Sequence, residues 1–341
     1  MKKIFCFGEL LLRLSPSVNG EWLRQSSIHS WLGGAELNVA HALACWDEKV
    51  SYYSALPDHW LSTEILEALN HQKIDVSGVS RLGKRIGTYY LPDGADLKHA
   101  GVIYDRAFSS FSELQTGMLD WDQLLDGIDW FHFSAITPAL SEELAKVCLE
   151  GLKAASDKKI TISVDLNYRP KLWQFGKDPK DIMPPLTEYC DLIMGNIWSA
   201  EKLLGIPLNQ PLLEQNDKKA YLEHALISAR NMRDKFPRAR YVANTFRFDR
   251  NNRIEYYGTL YSEEKQFASS VYNVRDPADR VGTGDCFMAG LIYGLRNFQD
   301  QVKTIEFSSS AASGKFFQKG DFTYQSVQEI LKNMQRQDSL L

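Results

Sequence analysis

A chain of 341 residues with 44% hydrophobic residues and a net charge of −4 can bury a large core, and its weak charge gives no reason to expect nucleic acid or a membrane surface as partner. No apolar stretch is long enough to span a bilayer. The apolar start of the chain is short and broken by Glu9, so it reads as a first strand rather than a signal peptide. The five cysteines, Cys6, Cys45, Cys148, Cys190 and Cys286, are scattered and form no C-x-x-C pair. That pattern points to a reducing, cytoplasmic setting and away from a disulfide framework or a zinc site.

Along the chain, short apolar runs predict strands at 3–8, 50–55, 128–134, 160–165, 191–195 and 240–245. Between and after them, helical periodicity predicts helices at 35–47, 61–72, 141–156, 199–204, 219–235, 285–298, 302–317 and 325–336. Strands alternating with helices are the signature of a parallel sheet covered on both faces. Two stretches, 9–32 and 85–106, lack helical periodicity and are rich in Tyr, Leu, Arg and Ser. They read as β segments inserted into an α/β core, forming a lid that would exclude water from a reacting site. With these insertions, residues 1–341 read as one domain.

The densest signal is Asp279-Arg280-Val281-Gly282-Thr283-Gly284-Asp285, followed directly by the apolar run that starts at Cys286. Gly282 and Gly284 allow close backbone approach to a ligand, and the first turn of the following helix offers unpaired N–H groups to an anion. Asp285 beside such an anion hole is poorly placed for binding phosphate and well placed to accept a proton from an attacking hydroxyl. The helix N-terminus is expected to lower the pKa of Asp285. The spacing fits neither the dinucleotide fingerprint nor a Walker A loop. A second glycine pair, Gly78 to Arg85, imitates a Walker A loop but has Arg85 where the Mg²⁺-binding hydroxyl belongs, and strand-like residues follow it.

Other candidates carry two readings each. Gly33-Gly34, before a helix that opens with Glu36 and Asn38, is either a turn or a place for a polar ligand to reach the backbone. Arg169, in Asp165-Leu166-Asn167-Tyr168-Arg169-Pro170, follows a strand end where α/β sheets bind ligands, yet it could equally be a solvated loop arginine. Arg106, in Tyr104-Asp105-Arg106, suits a carboxylate or phosphate, and convergence of Arg106 with Arg169 would imply an acidic substrate. Asn196 either caps the helix that carries Glu201 or faces a ligand. His132 alternates with core residues and reads as a buried structural histidine, and Cys286 gives little support to a thiol nucleophile.

The motif at Asp279–Asp285, the Gly33-Gly34-x-x-x-Asn38 pattern and the helix-rich C-terminus resemble the ribokinase-like (PfkB) carbohydrate kinases. Within that family the segments Gly8–Pro16, Ala55–Asp58, Tyr104–Arg106, Asp129–Ala139, Asp165–Pro170 and Gly320–Phe322 are most similar to those of the 2-keto-3-deoxygluconate kinases. The resemblance implies a three-layer α/β/α sandwich with a mostly parallel central sheet and a small β-sheet lid. It implies ATP and Mg²⁺, with Asp285 as base and Gly282, Thr283 and Gly284 as the anion hole. Gly34, Asn38, Tyr90, Tyr104, Arg106, Arg169 and Asp321 would contact the keto-acid. Asn167, Asn196, Thr245, Gly282 and Gly284 would face the nucleotide, and a homodimer would form through the lid. Thr283 stands where the family often has Ala. Ser199 stands where many relatives have an acid tied to Mg²⁺, so either the metal site is built differently or Glu201 reaches in. A neutral-sugar kinase of the same family and a non-catalytic sugar-acid sensor are the competing readings.

Overall fold

The computed structural model describes residues 3–16, 22–24, 26–92, 101–250 and 253–338. In spatial order the central sheet runs Lys265–Ala268, Arg253–Ser262, Tyr241–Arg250, Leu192–Gly195, Thr161–Asp165, Ile128–Ser134, Lys3–Phe7, Val50–Tyr53 and Ile74–Asp75. Every pairing from Tyr241–Arg250 to Ile74–Asp75 is parallel. Arg253–Ser262 turns back antiparallel and also pairs with Lys265–Ala268 and Tyr272–Arg275.

Alternation along the strands builds two cores, one on each face of the sheet. On Lys3–Phe7, Ile4 and Cys6 join a cluster with Leu37, Phe287 and Phe307, while Phe5 and Phe7 join the opposite cluster with Phe131, Leu144 and Met232. The first cluster is covered by the helices Ala35–Cys45, Thr283–Asn297 and Gln301–Lys315, the second by Glu142–Asp157, Pro179–Thr187 and Lys218–Lys235. The result is the expected three-layer ribokinase-like α/β/α architecture. A separate sheet, ordered His29–Gly33, Leu11–Ser15, Gly87–Tyr90 and Ile103–Asp105, comes from the two inserted stretches; parts of both, residues 17–21, 25 and 93–100, lie outside the described residues.

The strand expected at 128–134 is Ile128–Ser134, and the eight expected helices are present with shifted ends. The strand expected at 240–245 is the first half of Tyr241–Arg250, but its extension and the return strand Arg253–Ser262 were missed, because aromatic and charged residues mix there without clean alternation. It also missed Pro179–Thr187, where Pro184 and Pro185 argue against a helix; Asp178 caps it by accepting from Lys180 N–H (2.9 Å), and Pro179 starts it with a preset φ.

The helices Thr283–Asn297 and Gln301–Lys315 pack at close range because Gly290 and Gly294 leave room. A Cβ on Gly290 would lie 2.6 Å from Ser308 Cα, and one on Gly294 2.7 Å from Thr304 Cγ2. We therefore expect Gly290→Ala to destabilise the protein by ~1–3 kcal/mol through overpacking, although alanine is the better helix former. Urea unfolding measures this, and an unchanged or higher midpoint would refute the packing argument.

Candidate active site

The parallel strands end at one side of the sheet in an open cleft. Asp165 closes Thr161–Asp165, Gly195 closes Leu192–Gly195 and Asn196 follows it, and Thr245 lies within Tyr241–Arg250; all line the cleft. This is the place where open α/β sheets bind ligands.

Opposite the strand ends stands the start of Thr283–Asn297. Its N-cap, Gly282, has φ 77°, and the carbonyl oxygen of Asp321 presses on its Cα where a side chain would project. Any other residue would be strained and would clash there. The helical ladder begins with Cys286 N–H donating to Gly282 O at 2.9 Å. The amides of Thr283, Gly284 and Asp285 precede it, at a helix end that suits an anion. Outside its own helix and chain neighbours, no described residue comes within 4 Å of where a Cβ of Gly284 would be, so a ligand can approach that backbone. The Thr283 hydroxyl turns back and donates to Arg280 O (3.1 Å), which leaves its backbone amide unobstructed.

Asp285 is buried, and Asn38 Nδ2 donates to its Oδ2 at 2.6 Å. Burial pushes its pKa up to about 7, against the hydrogen bond from Asn38 and the charge of Arg169, which pull the other way. The lowering expected from the helix N-terminus is thus reversed: loss of hydration outweighs the Asn38 hydrogen bond and the Arg169 charge. Asp165 is held well above the carboxylate range, by burial first and by the charge of Asp285 second.

The predicted residues sort cleanly. Gly34, Asn38, Tyr104, Arg106, Asn167, Arg169, Asn196, Thr245, Gly282, Thr283, Gly284, Asp285 and Asp321 all line the cleft. Tyr90 does not. Tyr89 takes that place, because neighbours on Gly87–Tyr90 face opposite sides; Tyr90 stacks on Trp22 instead, with centroids 5.6 Å apart. Asn196 caps Ile197–Leu204 by accepting from Ser199 N–H (2.8 Å) and lines the cleft as well, so both readings of it hold. Glu201 does not reach in: it pairs with Lys180 (2.9 Å) and Lys202 (3.0 Å). Among the described residues no group of three His, Cys, Asp or Glu side chains could hold a metal. His132 is buried against Ser163 (3.0 Å) with its pKa pushed down to about 3, as a structural histidine would be. Burial raises the Cys286 thiol to about 12, which rules it out as a nucleophile near neutral pH.

The two arginines both reach the cleft but differ in state. Arg106 is buried and donates from Nε (2.8 Å) and Nη2 to Glu9 Oε2, so its charge is already matched. Arg169 is half-buried, donates to Tyr168 O (3.2 Å), and makes no ion pair among the described residues. Glu9 and Arg13 were missed by the sequence reading. Arg13 sits inward on Leu11–Ser15 and pairs with Asp279 (2.7 Å) and Asp321 (3.0 Å). A lone basic residue alternating with leucines was the available signal.

Residues 1–231 match the family model described as pfkB family carbohydrate kinase. The chain is 34% identical to 2-dehydro-3-deoxygluconokinase from Thermotoga maritima, whose crystal structure superposes with a TM-score of 0.89 over 98% of this chain and 100% of that one. It is 26% identical to a 2-dehydro-3-deoxygalactonokinase of Haloferax volcanii over 96% of this chain and 95% of the relative. It is also 27% identical to the 2-dehydro-3-deoxygluconokinase of Bacillus subtilis over 85% and 82%.

Because the folded pKa of Asp285 is near 7 and the unfolded value near 3.8, ionising it costs stability. That cost is absent below pH 4, grows as pH rises towards 7, and is complete above 7. Asp285→Asn should therefore be more stable than the parent at pH 8 by about 1–4 kcal/mol and nearly equal at pH 4. Urea unfolding at the two pH values tests this, and a less stable variant at pH 8 would contradict it.

Proposed function

The chain belongs to the pfkB family of carbohydrate kinases, and on that premise we propose that it transfers the γ-phosphoryl group of ATP to the primary hydroxyl of 2-keto-3-deoxygluconate. The observation that carries the acid substrate is Arg169, a cation that lines the cleft with Asp285 and has no carboxylate partner among the described residues. A substrate carboxylate supplies that partner. Arg106 then acts through its pairing with Glu9, shaping the wall beside Tyr104, rather than as a second free clamp. Asn38 adds a further contact, since its Oδ1 is buried without a partner among the described residues and can accept from a sugar hydroxyl.

In the proposed reaction the hydroxyl oxygen attacks the γ-phosphorus. A new P–O bond forms, the bond to the β–γ bridging oxygen breaks, and ADP leaves with that electron pair. The hydroxyl proton passes to the Asp285 carboxylate. The amides of Gly282–Asp285 face the phosphoryl oxygens, where fixed donors count most. Mg²⁺ keeps several waters and needs few protein ligands, so it would enter bound to the nucleotide phosphates and supply charge neutralisation there. Asn167, Asn196 and Thr245 are assigned to the nucleotide side of the cleft. The small sheet serves as a lid and as the surface through which two copies pair. The relative from Haloferax supports a second reading at the level of the epimer, in which the acid is galactonate-derived.

Three outcomes are expected. ADP release measured across keto-deoxy sugar acids and neutral sugars should be fast only with an acid; equal rates on fructose would overturn the assignment. Arg169→Met should raise KM for the acid about 10- to 100-fold, the value of a charge-assisted hydrogen bond, while KM for ATP stays level. The kcat/KM for the acid should rise with pH to a plateau with an apparent pKa near 7, since Asp285 must be ionised to accept the proton. Asp285→Asn should lose that dependence together with about 10²-fold or more of turnover. A pH-independent profile in the parent enzyme would remove Asp285 from the base role.

A further inference from the structure

Next to the cleft, segments distant in sequence meet on buried charges that the transfer step does not use. Arg13, on Leu11–Ser15 of the small sheet, is 2% exposed. Its Nη2 and Nη1 donate to the Asp279 carboxylate at 2.7 and 3.3 Å, and its Nε lies 3.0 Å from Asp321 Oδ2 as an ion pair without hydrogen-bond geometry. Tyr89, from the neighbouring strand, donates to Asp321 Oδ1 at 2.8 Å. Asp279 in turn accepts from the backbone N–H groups of Arg280 (2.7 Å), Val281 (3.1 Å) and Gly320 (3.1 Å), so it holds the glycine-rich loop in shape. Lys315, fully buried, donates to the carbonyls of Gln318 (3.0 Å) and Gly320 (2.9 Å) and fixes the turn before Asp321. The carbonyl of Asp321 then packs on Gly282.

One guanidinium therefore ties the sheet that carries Tyr89 and Tyr104 to the loop that carries Gly282 to Asp285. The guanidinium fork reaches both carboxylates from one side chain, bonding Asp279 with two nitrogens and setting its Nε charge beside Asp321. We propose that Arg13 is a positioning residue that sets the register between the sugar-side sheet and the phosphate loop, so that the γ-phosphoryl group passes to the sugar hydroxyl rather than to water. This rests on the kinase reading above. With water as acceptor the same bonds form and break, and the proton comes from water, so misregister costs coupling before it costs ATP binding.

The test is Arg13→Lys in the full chain, which keeps the charge and loses the span. With the folded state checked by circular dichroism, KM for ATP should stay within about twofold. Sugar-acid phosphorylation should fall about 100-fold, the effect of an ångström-scale misplacement. ADP released per sugar phosphate formed should rise well above one. Parental turnover and coupling would overturn the proposal, and so would ADP and sugar phosphate falling in the same proportion. If the variant does not fold, hydrogen exchange on the parent protein in graded urea decides. The amides of residues 11–15 and those of Arg280, Val281 and Gly320, which donate to Asp279, should lose protection at one common urea concentration, and earlier opening of 11–15 would overturn the latch. A parent protein that releases no ADP with any sugar acid would defeat the kinase reading, while the exchange result would still judge the latch.

Discussion

The structure turns on one buried carboxylate. Asp285 occupies the first turn of a helix whose amides favour a negative charge, and it occupies it inside a cleft wall where hydration is lost. The two influences oppose each other, and burial prevails, leaving the group poised near pH 7. A surface aspartate would be ionised and too weak a base to assist, while an aspartate buried without Asn38 and Arg169 would stay protonated. Loose phosphoryl transfer asks little of its base and much of its geometry, so a modestly basic, rigidly held carboxylate suits the chemistry.

Charge matching around Asp285 separates framework from ligand contact. Glu9 is answered by Arg106, and Asp279 and Asp321 are answered by Arg13. These pairs are buried, so removing one partner would strand the other. Arg169 stands outside this matching, and its charge only opposes the rise that burial causes in Asp165 and Asp285. Charge type alone would rank Arg106 and Arg169 as equal substrate ligands; their pairing makes the first part of the wall and leaves the second for the substrate.

What the sequence revealed follows from how local each signal is. The parallel strands, most helices and the glycine-rich turn were legible because periodicity and Gly-x-Gly spacing act over a few residues. Tyr90 was misplaced because a one-residue choice on a strand decides the face, and nothing in Tyr89-Tyr90 distinguishes the two. The pKa of Asp285 was read with the wrong sign because the helix end is visible in sequence and the depth of burial is not. Arg13 and Glu9 escaped because their partners lie 266 and 97 residues away along the chain. Long-range ion pairs leave only a weak local trace, an inward charge in an apolar strand.

The glycines show how such a charged interior is made to fit. Beyond Gly282, the side chain of Glu36 rests against Gly8, that of Asp321 against Gly33 and that of Glu9 against Gly87, each in the space a Cβ would fill. A carboxylate and a backbone thus share room that any larger residue would take, and the acid gains close contact with peptide dipoles in exchange for water. Glu36 uses this to accept from Ser134 N–H at 2.9 Å, at the end of the strand beside Asp165. The buried acids are therefore sited by glycines just past the first strand, at Gly8, and on the small sheet, at Gly33 and Gly87. The cleft is set by backbone spacing as much as by side-chain chemistry, which is why residues from opposite ends of the chain converge on it.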